Sequence, residues 1–273
     1  MMAKPKMISV IIPTKNEAAN IGRCLKSIFG NGYNRVEVIV VDQQSTDNTV
    51  GLAKRMGAKV VSVPQTAGYL PPSASRNIGF ERSSGQYIYH LDADMELEKG
   101  LLEEVAEIFK DQKVVGLVVP ETDVPLNFWA RGKAMERSFY KNTPMEAARI
   151  SRRQVFAKTQ YSSEISAGED WYIHSLIKKF GQMSRTTKTV YHYLGSMTLG
   201  RELNKKMQYG KGSRNFIARN SNEIINLFLT LIPVYIKGVV MNLFKDPIGV
   251  TAFLIIRLVD VYSLILGVMW TRR

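Results

Sequence analysis

Short apolar runs alternate with amphipathic segments through the first 120 residues, and this alternation constrains the fold more than any other feature. Five runs are predicted as strands, several of them buried. They are Met7–Ile12, Val36–Val41, Lys59–Val63, Tyr87–Leu91 and Val114–Val119. Between them, apolar residues recur at helical spacing. The alternation predicts an α/β fold, in which a mostly parallel sheet is flanked by helices on both faces.

Polar residues directly follow three of these strands. Pro13-Thr14 comes after the first strand, Asp42 ends the second, and Asp92-Ala93-Asp94 follows the fourth. The carboxyl ends of parallel strands form the ligand-binding edge of such a sheet, so we expect one shared site there. Two carboxylates two residues apart can hold Mg²⁺ or Mn²⁺ and leave positions for water and a diphosphate. A solvated acidic turn would give the same D-x-D string, but its place after a buried strand favours the metal site.

A second acidic pair, Glu169-Asp170, opens a helical pattern at Trp171–Phe180. Acidic residues in a first helical turn commonly complement the helix dipole. The functional interpretation is a carboxylate that accepts a proton from an attacking hydroxyl. The only cysteine, Cys24, lies on an apolar helical stripe and is predicted to pack in the core. One cysteine excludes an internal disulfide and a cysteine-built zinc site.

Two apolar segments near the C-terminus predict a transmembrane helical hairpin. Residues 224–244 and 248–270 each contain 14 Ile, Leu, Val, Phe or Met residues, and about 20 apolar residues span a bilayer core. Lys237, Arg257 and Asp260 make insertion of either helix alone marginal, although Arg257 and Asp260 are three residues apart and can pair. Two buried helices of an α-domain, or helices lying in the membrane interface, are the alternative.

The formal charge of +13 is concentrated in the middle of the chain. Residues 121–220 hold 18 Lys and Arg against 8 Asp and Glu, whereas residues 1–120 hold 14 against 13. A basic stretch beside an apolar anchor suits anionic lipid headgroups or phosphates. Met1–Lys6 lacks the pattern of a signal peptide.

Five short motifs follow one another in order through residues 7–192. They are Ser9–Glu17 (SVIIPTKNE), Val41-Asp42 with Ser45-Thr46-Asp47, Ala74–Gly79 (ASRNIG), Tyr87–Asp94 and Gly168-Glu169-Asp170. In this order and spacing they resemble family 2 glycosyltransferases of the GT-A fold. The resemblance implies a Rossmann-like sheet and an enzyme that moves a sugar from a nucleoside-diphosphate sugar.

The resemblance implies a donor site built from the matching residues. Seven residues would bind the nucleotide and the donor sugar: Pro13, Thr14, Glu17, Asp42, Arg76, Asp92 and Asp94. Among them, Asp42 would accept hydrogen bonds from the base or ribose, and Arg76 would lie near the diphosphate. Asp92 would approach the ribose or the donor sugar.

The resemblance also implies a metal ion and a catalytic base. Asp94 would ligate Mn²⁺ or Mg²⁺, and His192 lies where several family members place a histidine near the metal or diphosphate. A structural histidine is the alternative. Asp170, with Glu169 beside it, would be the general base of an inverting transfer and would deprotonate the acceptor hydroxyl. The metal would stabilise charge on the departing diphosphate.

These features together predict three regions. Residues 1–197 would form the GT-A catalytic domain, including an amphipathic interfacial helix near residues 127–141, for which a core-packed helix is the alternative. Residues 198–222 would form a basic interfacial connector, and residues 223–273 the two transmembrane helices. We expect a multi-pass membrane protein with its catalytic domain and both termini cytoplasmic. Anionic lipids and a homo-oligomer through the transmembrane helices are further expectations.

The predicted arrangement resembles a reduced form of cellulose and hyaluronan synthases. The run Gln208–Gly212 lacks the tryptophan of their Q-x-x-R-W motif, and two membrane helices are too few for a polymer channel. We therefore expect a single transfer to a lipid-linked acceptor, polyprenyl or dolichyl. Family analogy favours GDP-mannose slightly over UDP-sugars as the donor.

Two other functions fit parts of the sequence. A sugar nucleotidyltransferase shares the sheet and the acidic ligands, but Pro13–Ala19 contains no glycine for a phosphate loop. A membrane-tethered nucleic-acid-binding protein would account for the basic charge. It leaves the ordered acidic motifs unexplained, so no nucleic-acid partner is expected.

Overall fold

The structure is a computed structural model that describes residues 6–64, 70–141, 143, 146–162, 169–204, 207 and 221–270. The chain forms two compact units. The first unit contains Met1–Glu121, Glu146–Ser163 and Gly168–His192, and the second contains the rest of the chain. Most of the predicted connector at 198–222, including the run 208–212, lies outside the described residues, and so does Gly168. The predicted domain boundaries stay a prediction.

Seven strands of the first unit form one sheet. In spatial order they are β3 (Lys59–Ser62), β2 (Val36–Asp42), β1 (Ile8–Thr14), β4 (Tyr87–His90), β8 (Ala148–Arg152), β6 (Val114–Val118) and β9 (Gln182–Arg185). Strands β3, β2, β1 and β4 pair in parallel, and so do β6 and β9. Strand β8 is antiparallel to both of its neighbours. The predicted α/β fold with a mostly parallel sheet is confirmed.

Three further short strands lie among the described residues. Strands β5 (Met95–Leu97) and β10 (Val190–Tyr193) pair antiparallel, with Met95 opposite His192. Strand β7 (Glu121–Val124) begins at the boundary between the two units. The pairing of β5 with β10 matters for the site, because it brings His192 next to the segment that follows β4.

The helices of the first unit cover both faces of the sheet. They are α1 (Ile21–Phe29), α2 (Thr49–Arg55), α3 (Pro72–Glu81), α4 (Leu101–Ile108), α6 (Arg153–Thr159) and α7 (Glu169–Lys178). Successive strand side chains point to opposite faces. Val10 and Ile12 therefore belong to one buried cluster with α1 and α4, and Ile11 to another with α3, α6 and α7. Cys24 is fully buried in the first cluster, as predicted.

The second unit contains α5 (Phe128–Phe139), α8 (Ser221–Asn242) and α9 (Pro247–Trp270). The Asn127 side chain caps α5 by accepting from the Ala130 amide at 2.9 Å. Helices α5 and α9 meet closely at Gly132, where an added Cβ would lie 2.6 Å from the Ala252 carbonyl carbon. Nearby, the rings of Phe139 and Phe253 lie edge to face with centroids 5.2 Å apart. The apolar stripe predicted near residues 127–141 thus packs against α9 along part of its length.

A buried polar network joins α5 and α9 beside this contact. Glu136 is 4% exposed, and its carboxylate accepts from Lys133 at 2.8 Å, Arg257 at 2.9 Å and the Tyr140 hydroxyl at 2.6 Å. Arg257 also pairs with Asp260, as predicted from their spacing. The charged groups buried between these helices therefore have partners, as burial of a charge requires.

The predicted transmembrane hairpin and multi-pass location are wrong. Within the described ranges, none of the helices has both the length and the apolar content needed to cross a bilayer. Helices α8 and α9 do form near the predicted bounds, but Lys237, Arg257 and Asp260 interrupt their apolar runs, and one face of α9 packs against α5. The cellulose-synthase-like arrangement, the cytoplasmic placement of both termini and the oligomer through membrane helices all depended on this span.

Candidate active site

The polar ends of β1 and β2 meet as predicted for neighbouring parallel strands. Pro13 lies opposite Val41 and Thr14 opposite Asp42. The Thr14 hydroxyl donates to Asp42 Oδ1 at 3.0 Å, and both residues are buried. Asp42 also accepts from the amide and the hydroxyl of Ser45, at 2.9 Å and 2.5 Å. These bonds fix Asp42 at the end of β2.

The loops after β1 and β2 are tied to each other. Asn16 has a left-handed backbone (φ 57°). Its backbone N–H donates to Ser45 Oγ at 2.8 Å, and its side-chain Oδ1 accepts from the Thr46 backbone N–H at 2.8 Å. The Glu17 amide donates to Thr49 Oγ1 at 2.8 Å. Asparagine tolerates this backbone region better than most residues. The first two sequence motifs therefore form one structured rim.

Glu17 belongs to this rim, and the charges of the D-x-D segment act on its carboxyl group. Burial, and then the negative charges of Asp94, Asp47 and Asp92, raises the pKa of Glu17. The Glu17 side chain accepts one hydrogen bond from Asn20 at 2.8 Å. A cation bound near these carboxylates would favour their ionised forms.

One arginine joins two of the predicted acidic residues. Arg76 on α3 is 3% exposed. It donates through Nη2 to Asp92 Oδ1 at 2.7 Å and through Nη1 to Asp170 Oδ1 at 3.3 Å. Both Nη atoms thus bind carboxylates. The prediction that Arg76 lies near a diphosphate stays a prediction.

A second buried arginine, which sequence reasoning missed, holds the other oxygen of Asp92. Arg149 on β8 donates to Asp92 Oδ2 at 3.3 Å and to Glu121 Oε1 at 2.8 Å from Nε and 2.5 Å from Nη2. Burial alone would raise the pKa of Asp92, but Arg76 and Arg149 outweigh it and hold the pKa well below its usual range. Asp92 is therefore ionised at neutral pH.

The predicted metal-binding pair, Asp94 and His192, is brought together. His192 Nε2 lies 3.2 Å from Asp94 Oδ2, and His192 Nδ1 lies 3.6 Å from Glu121 Oε2. Two adjacent ligands of an octahedral Mg²⁺ or Mn²⁺ lie about 3 Å apart, given metal–ligand distances of about 2.1 Å. A carboxylate on the second ring nitrogen is the usual partner of a metal-bound histidine. The side chains present therefore fit a divalent metal held by Asp94 and His192.

The second acidic motif lies at the start of α7. Burial, and then the charge of Asp170, raises the pKa of Glu169. Asp170 Oδ1 accepts from Arg76 and also from the Tyr161 hydroxyl, the latter at 3.3 Å. The Asp170 side chain is 37% exposed. It thus combines fixed partners with access from outside, which a general base requires.

Sequence reasoning missed three residues that contact the predicted ones: Glu121, Arg149 and Tyr161. Arg149 and Glu121 lie in short strands, β8 and β7, that no apolar run indicated. Tyr161 follows α6 in irregular backbone, where no sequence pattern distinguishes it. Their roles depend on partners that are distant in sequence.

The chain belongs to glycosyl transferase family 2. The model of that family matches residues 9–202, which are more than half of the chain. An uncharacterized glycosyltransferase from Rickettsia bellii (strain RML369-C) is 42% identical over 107 residues. These are 39% of this chain and 34% of the relative, so the match spans about a third of the relative's length.

Two solved structures share this fold at low sequence identity. A mannosyltransferase, PcManGT from Pyrobaculum calidifontis in complex with GDP-Man and Mn²⁺, has a TM-score of 0.62 at 17% identity, covering 99% of this chain and 89% of that chain. S. aureus TarS 1–349 in complex with UDP-GlcNAc has a TM-score of 0.60 at 17% identity, covering 97% and 91%. At this identity the likeness shows the fold, and the predicted GT-A fold is confirmed.

Proposed function

We propose that this protein is an inverting glycosyltransferase that transfers a sugar from a nucleoside-diphosphate sugar to an acceptor hydroxyl. The observation that carries the proposal is the bridge formed by Arg76, which holds Asp92 and Asp170 on one guanidinium at 2.7 and 3.3 Å. This bridge joins Asp92, a carboxylate of the proposed donor site, to Asp170, the candidate base, 78 residues further along the sequence. Family membership supports the reaction class.

The proposed mechanism assigns a task to each group of side chains. Thr14, Glu17 and Asp42, with Pro13 beside them, bind the nucleoside at the ends of β1 and β2. Asp92, held ionised by Arg76 and Arg149, orients the donor sugar. Asp170 accepts the proton of the acceptor hydroxyl while that oxygen attacks the anomeric carbon.

The metal part of the proposal rests on Asp94 and His192. Their facing atoms, 3.2 Å apart, would hold Mn²⁺ or Mg²⁺, with Glu121 orienting the imidazole. When bound, the ion would stabilise the negative charge of the leaving nucleoside diphosphate. The Mn²⁺ in the complex of the Pyrobaculum mannosyltransferase supports this assignment.

For the donor we propose GDP-mannose, with UDP-sugars as the competing class. The GDP-Man complex of the Pyrobaculum enzyme supports the first and the UDP-GlcNAc complex of TarS supports the second. For the acceptor we propose a lipid-linked, polyprenyl-type molecule. Large apolar side chains are exposed on α9, such as Leu258 (73%), and in the connection before it, such as Phe244 (92%), and they offer a surface that suits an isoprenoid chain.

The test is a donor panel with two readouts. Thermal stability of the full chain is measured with GDP, UDP and other nucleoside diphosphates in Mn²⁺, Mg²⁺ or EDTA. Ligand at 100 times its Kd stabilises the folded state by about 2.7 kcal/mol, which resolves as a shift in Tm. Release of nucleoside diphosphate from each donor is then followed with lipid-linked and water-soluble acceptors, and NMR gives the anomeric configuration of the product.

Substitution of the base sharpens this test. We expect Asp170→Asn to lower kcat by about 10²–10⁴-fold, the usual contribution of a general base. Asp111→Asn, an exposed aspartate outside the site, is the matched control and should leave kcat unchanged. The proposal fails if no nucleoside diphosphate in the panel shifts Tm, or if the product retains the donor's anomeric configuration.

A further inference from the structure

We propose that Tyr161 is a positioning residue that fixes which carboxylate oxygen of Asp170 takes the acceptor proton. The inference rests on the proposed function, in which Asp170 is the base. The Tyr161 hydroxyl and Arg76 Nη1 both donate to the same oxygen, Oδ1, each at 3.3 Å. Across the part of the chain that the structure describes, no donor reaches the other oxygen, Oδ2. The two oxygens of Asp170 are therefore inequivalent.

Tyr161 is itself held in place at three points. Asn77 donates through Nδ2 to the Tyr161 carbonyl at 2.9 Å and accepts from the Tyr161 amide at 3.0 Å. The Arg76 guanidinium lies over the Tyr161 ring, 5.4 Å from its centroid. On another side, the ring packs against His90, with centroids 5.3 Å apart. Tyr161 is only 6% exposed, so its hydroxyl has little freedom to leave Asp170.

Two neighbouring residues of α3 therefore supply both supports of the base. Arg76 binds Asp170 directly, whereas Asn77 fixes the backbone of Tyr161, which binds Asp170 in turn. Phe80 of α3 is 8% exposed and packs in the buried cluster on this face of the sheet, so both supports are anchored to the core of the first unit. A side chain fixed by packing and by hydrogen bonds from behind gives a catalytic group a single geometry.

The chemical consequence concerns the proton transfer. Oδ1 is occupied by two donors, so the acceptor O–H breaks with its proton passing to Oδ2. The acceptor oxygen forms its bond to the anomeric carbon. The bond from that carbon to the diphosphate oxygen breaks, and its electron pair leaves with the nucleoside diphosphate. Without the Tyr161 hydroxyl, the carboxylate rotates more freely and Oδ2 faces the acceptor less often.

The experiment compares Tyr161→Phe with the wild-type full chain in the donor and acceptor assay. The variant keeps the ring, and with it the contacts to Arg76 and His90. We expect kcat to fall about tenfold, as for loss of one hydrogen bond to a charged group. KM for the donor and the Tm shift produced by nucleoside diphosphate with Mn²⁺ should stay unchanged, because no nucleotide contact is altered.

A double variant tests whether Tyr161 acts through Asp170. In the Asp170→Asn background, Tyr161→Phe should cause no further loss of kcat, since the base is already absent. A full additional tenfold loss would overturn the inference. So would a Tyr161→Phe variant that weakens donor binding and leaves kcat intact.

The matched control is Tyr89→Phe. Tyr89 is a fully buried tyrosine of β4, and within the described residues its hydroxyl has no hydrogen-bond partner. We expect wild-type kcat from this variant, and an equal loss in both tyrosine variants would overturn the inference. Wild-type kcat in Tyr161→Phe would overturn the positioning role and leave the proposed function standing. Absence of turnover in the wild-type chain with every donor would overturn both.

Discussion

Arg76 and Asp170 are 94 residues apart in sequence, yet Arg76 Nη1 donates to Asp170 Oδ1 at 3.3 Å. The same guanidinium donates to Asp92 at 2.7 Å. A single buried cation therefore fixes the distance between a carboxylate that follows β4 and one that opens α7. The arrangement ties the proposed donor site to the proposed base, because neither carboxylate can move without affecting the other's partner.

We predict that Arg76→Ala both destabilises the protein and abolishes transfer. Removing one partner of a fully buried ion pair costs about 3–5 kcal/mol. Here the side chains of Asp92 and Asp170 are 30% and 37% exposed, so solvent screening reduces the expected loss to about 2 kcal/mol. Urea unfolding measures this loss, and kcat should fall with it.

Arg76→Lys separates charge from geometry. Lysine keeps the positive charge but lacks the planar fork that reaches two carboxylates at once. We expect stability close to wild type and a kcat between those of the wild type and Arg76→Ala. Lys110→Ala removes a cation that is 73% exposed and serves as the control. Equal kcat in Arg76→Lys and wild type would show that the double bridge is not needed.

The strands β1, β2 and β4 of the parallel half of the sheet were predictable from sequence because most of their residues are apolar and buried. Strand β8, which reads Ala-Arg-Ile-Ser-Arg, was not. All five of its residues are buried, including Arg149 and Arg152. Arginine is rarely buried unless paired, and the partners here are distant. Arg152 donates to the carbonyls of Phe109, Asp111 and Val114. Only the folded chain brings such partners together.

The residues of the site divide in the same way, into those that a strand end places and those that depend on partners distant in sequence. Residues placed by the ends of apolar strands, such as Thr14, Asp42 and Asp92, were found by position. Tyr161 was not, because it lies in irregular backbone after α6 and no sequence pattern places it beside Asp170. The C-terminal helices show the opposite error. Their composition predicted a membrane span, but Arg257 and Asp260 join a polar network with Glu136.

Gly79→Ala should disturb the site through packing alone. An added Cβ at Gly79 would lie 2.3 Å from Ile11 Cγ2 and 3.1 Å from Val41 Cγ2, both in the buried sheet. The helix α3 must then move away from the sheet, and Arg76 moves with it. We expect a loss of about 1–3 kcal/mol, typical of overpacking, and a lower kcat.

The matched control for Gly79→Ala is Gly22→Ala on α1. No heavy atom lies within 4 Å of a Cβ built at Gly22. Alanine there should leave stability unchanged or raise it by up to about 1 kcal/mol, through helix propensity. Thermal unfolding of both variants provides the comparison. A Gly79→Ala protein as stable and active as Gly22→Ala would contradict the close packing of α3 on the sheet.

Glu121→Gln should raise the Mn²⁺ concentration that is needed to support nucleotide binding. Glu121 accepts from Arg149 and faces Nδ1 of His192 at 3.6 Å. Loss of a carboxylate behind a metal-bound histidine typically costs 10–100-fold in metal affinity. Titration of Mn²⁺ in the presence of GDP or UDP, followed by Tm, measures the midpoint. Glu107→Gln, at a side chain that is 69% exposed, is the control, and an unchanged midpoint in Glu121→Gln would refute the assignment.

Glu136 should make the second unit sensitive to acid. Burial alone would raise the pKa of Glu136, but Lys133 and Arg257 outweigh it and lower the pKa from 4.5 to about 2. A group whose pKa is lower in the folded than in the unfolded state stabilises the fold above its unfolded pKa. This stabilisation, about 3 kcal/mol for a shift of this size, is lost as the pH falls from about 4.5 towards about 2.

Glu136→Gln tests this pH dependence because it keeps the shape and removes the charge. The variant should have a lower Tm than wild type at pH 7, and the difference should shrink steadily between pH 5 and pH 3. Glu107→Gln should show no such convergence, since its carboxylate is exposed. A difference in Tm between wild type and Glu136→Gln that stays constant from pH 7 to pH 3 would mean that Glu136 does not titrate with a lowered pKa. The ion pairs joining α5 and α9 would then contribute packing and hydrogen bonds but no pH-dependent stability.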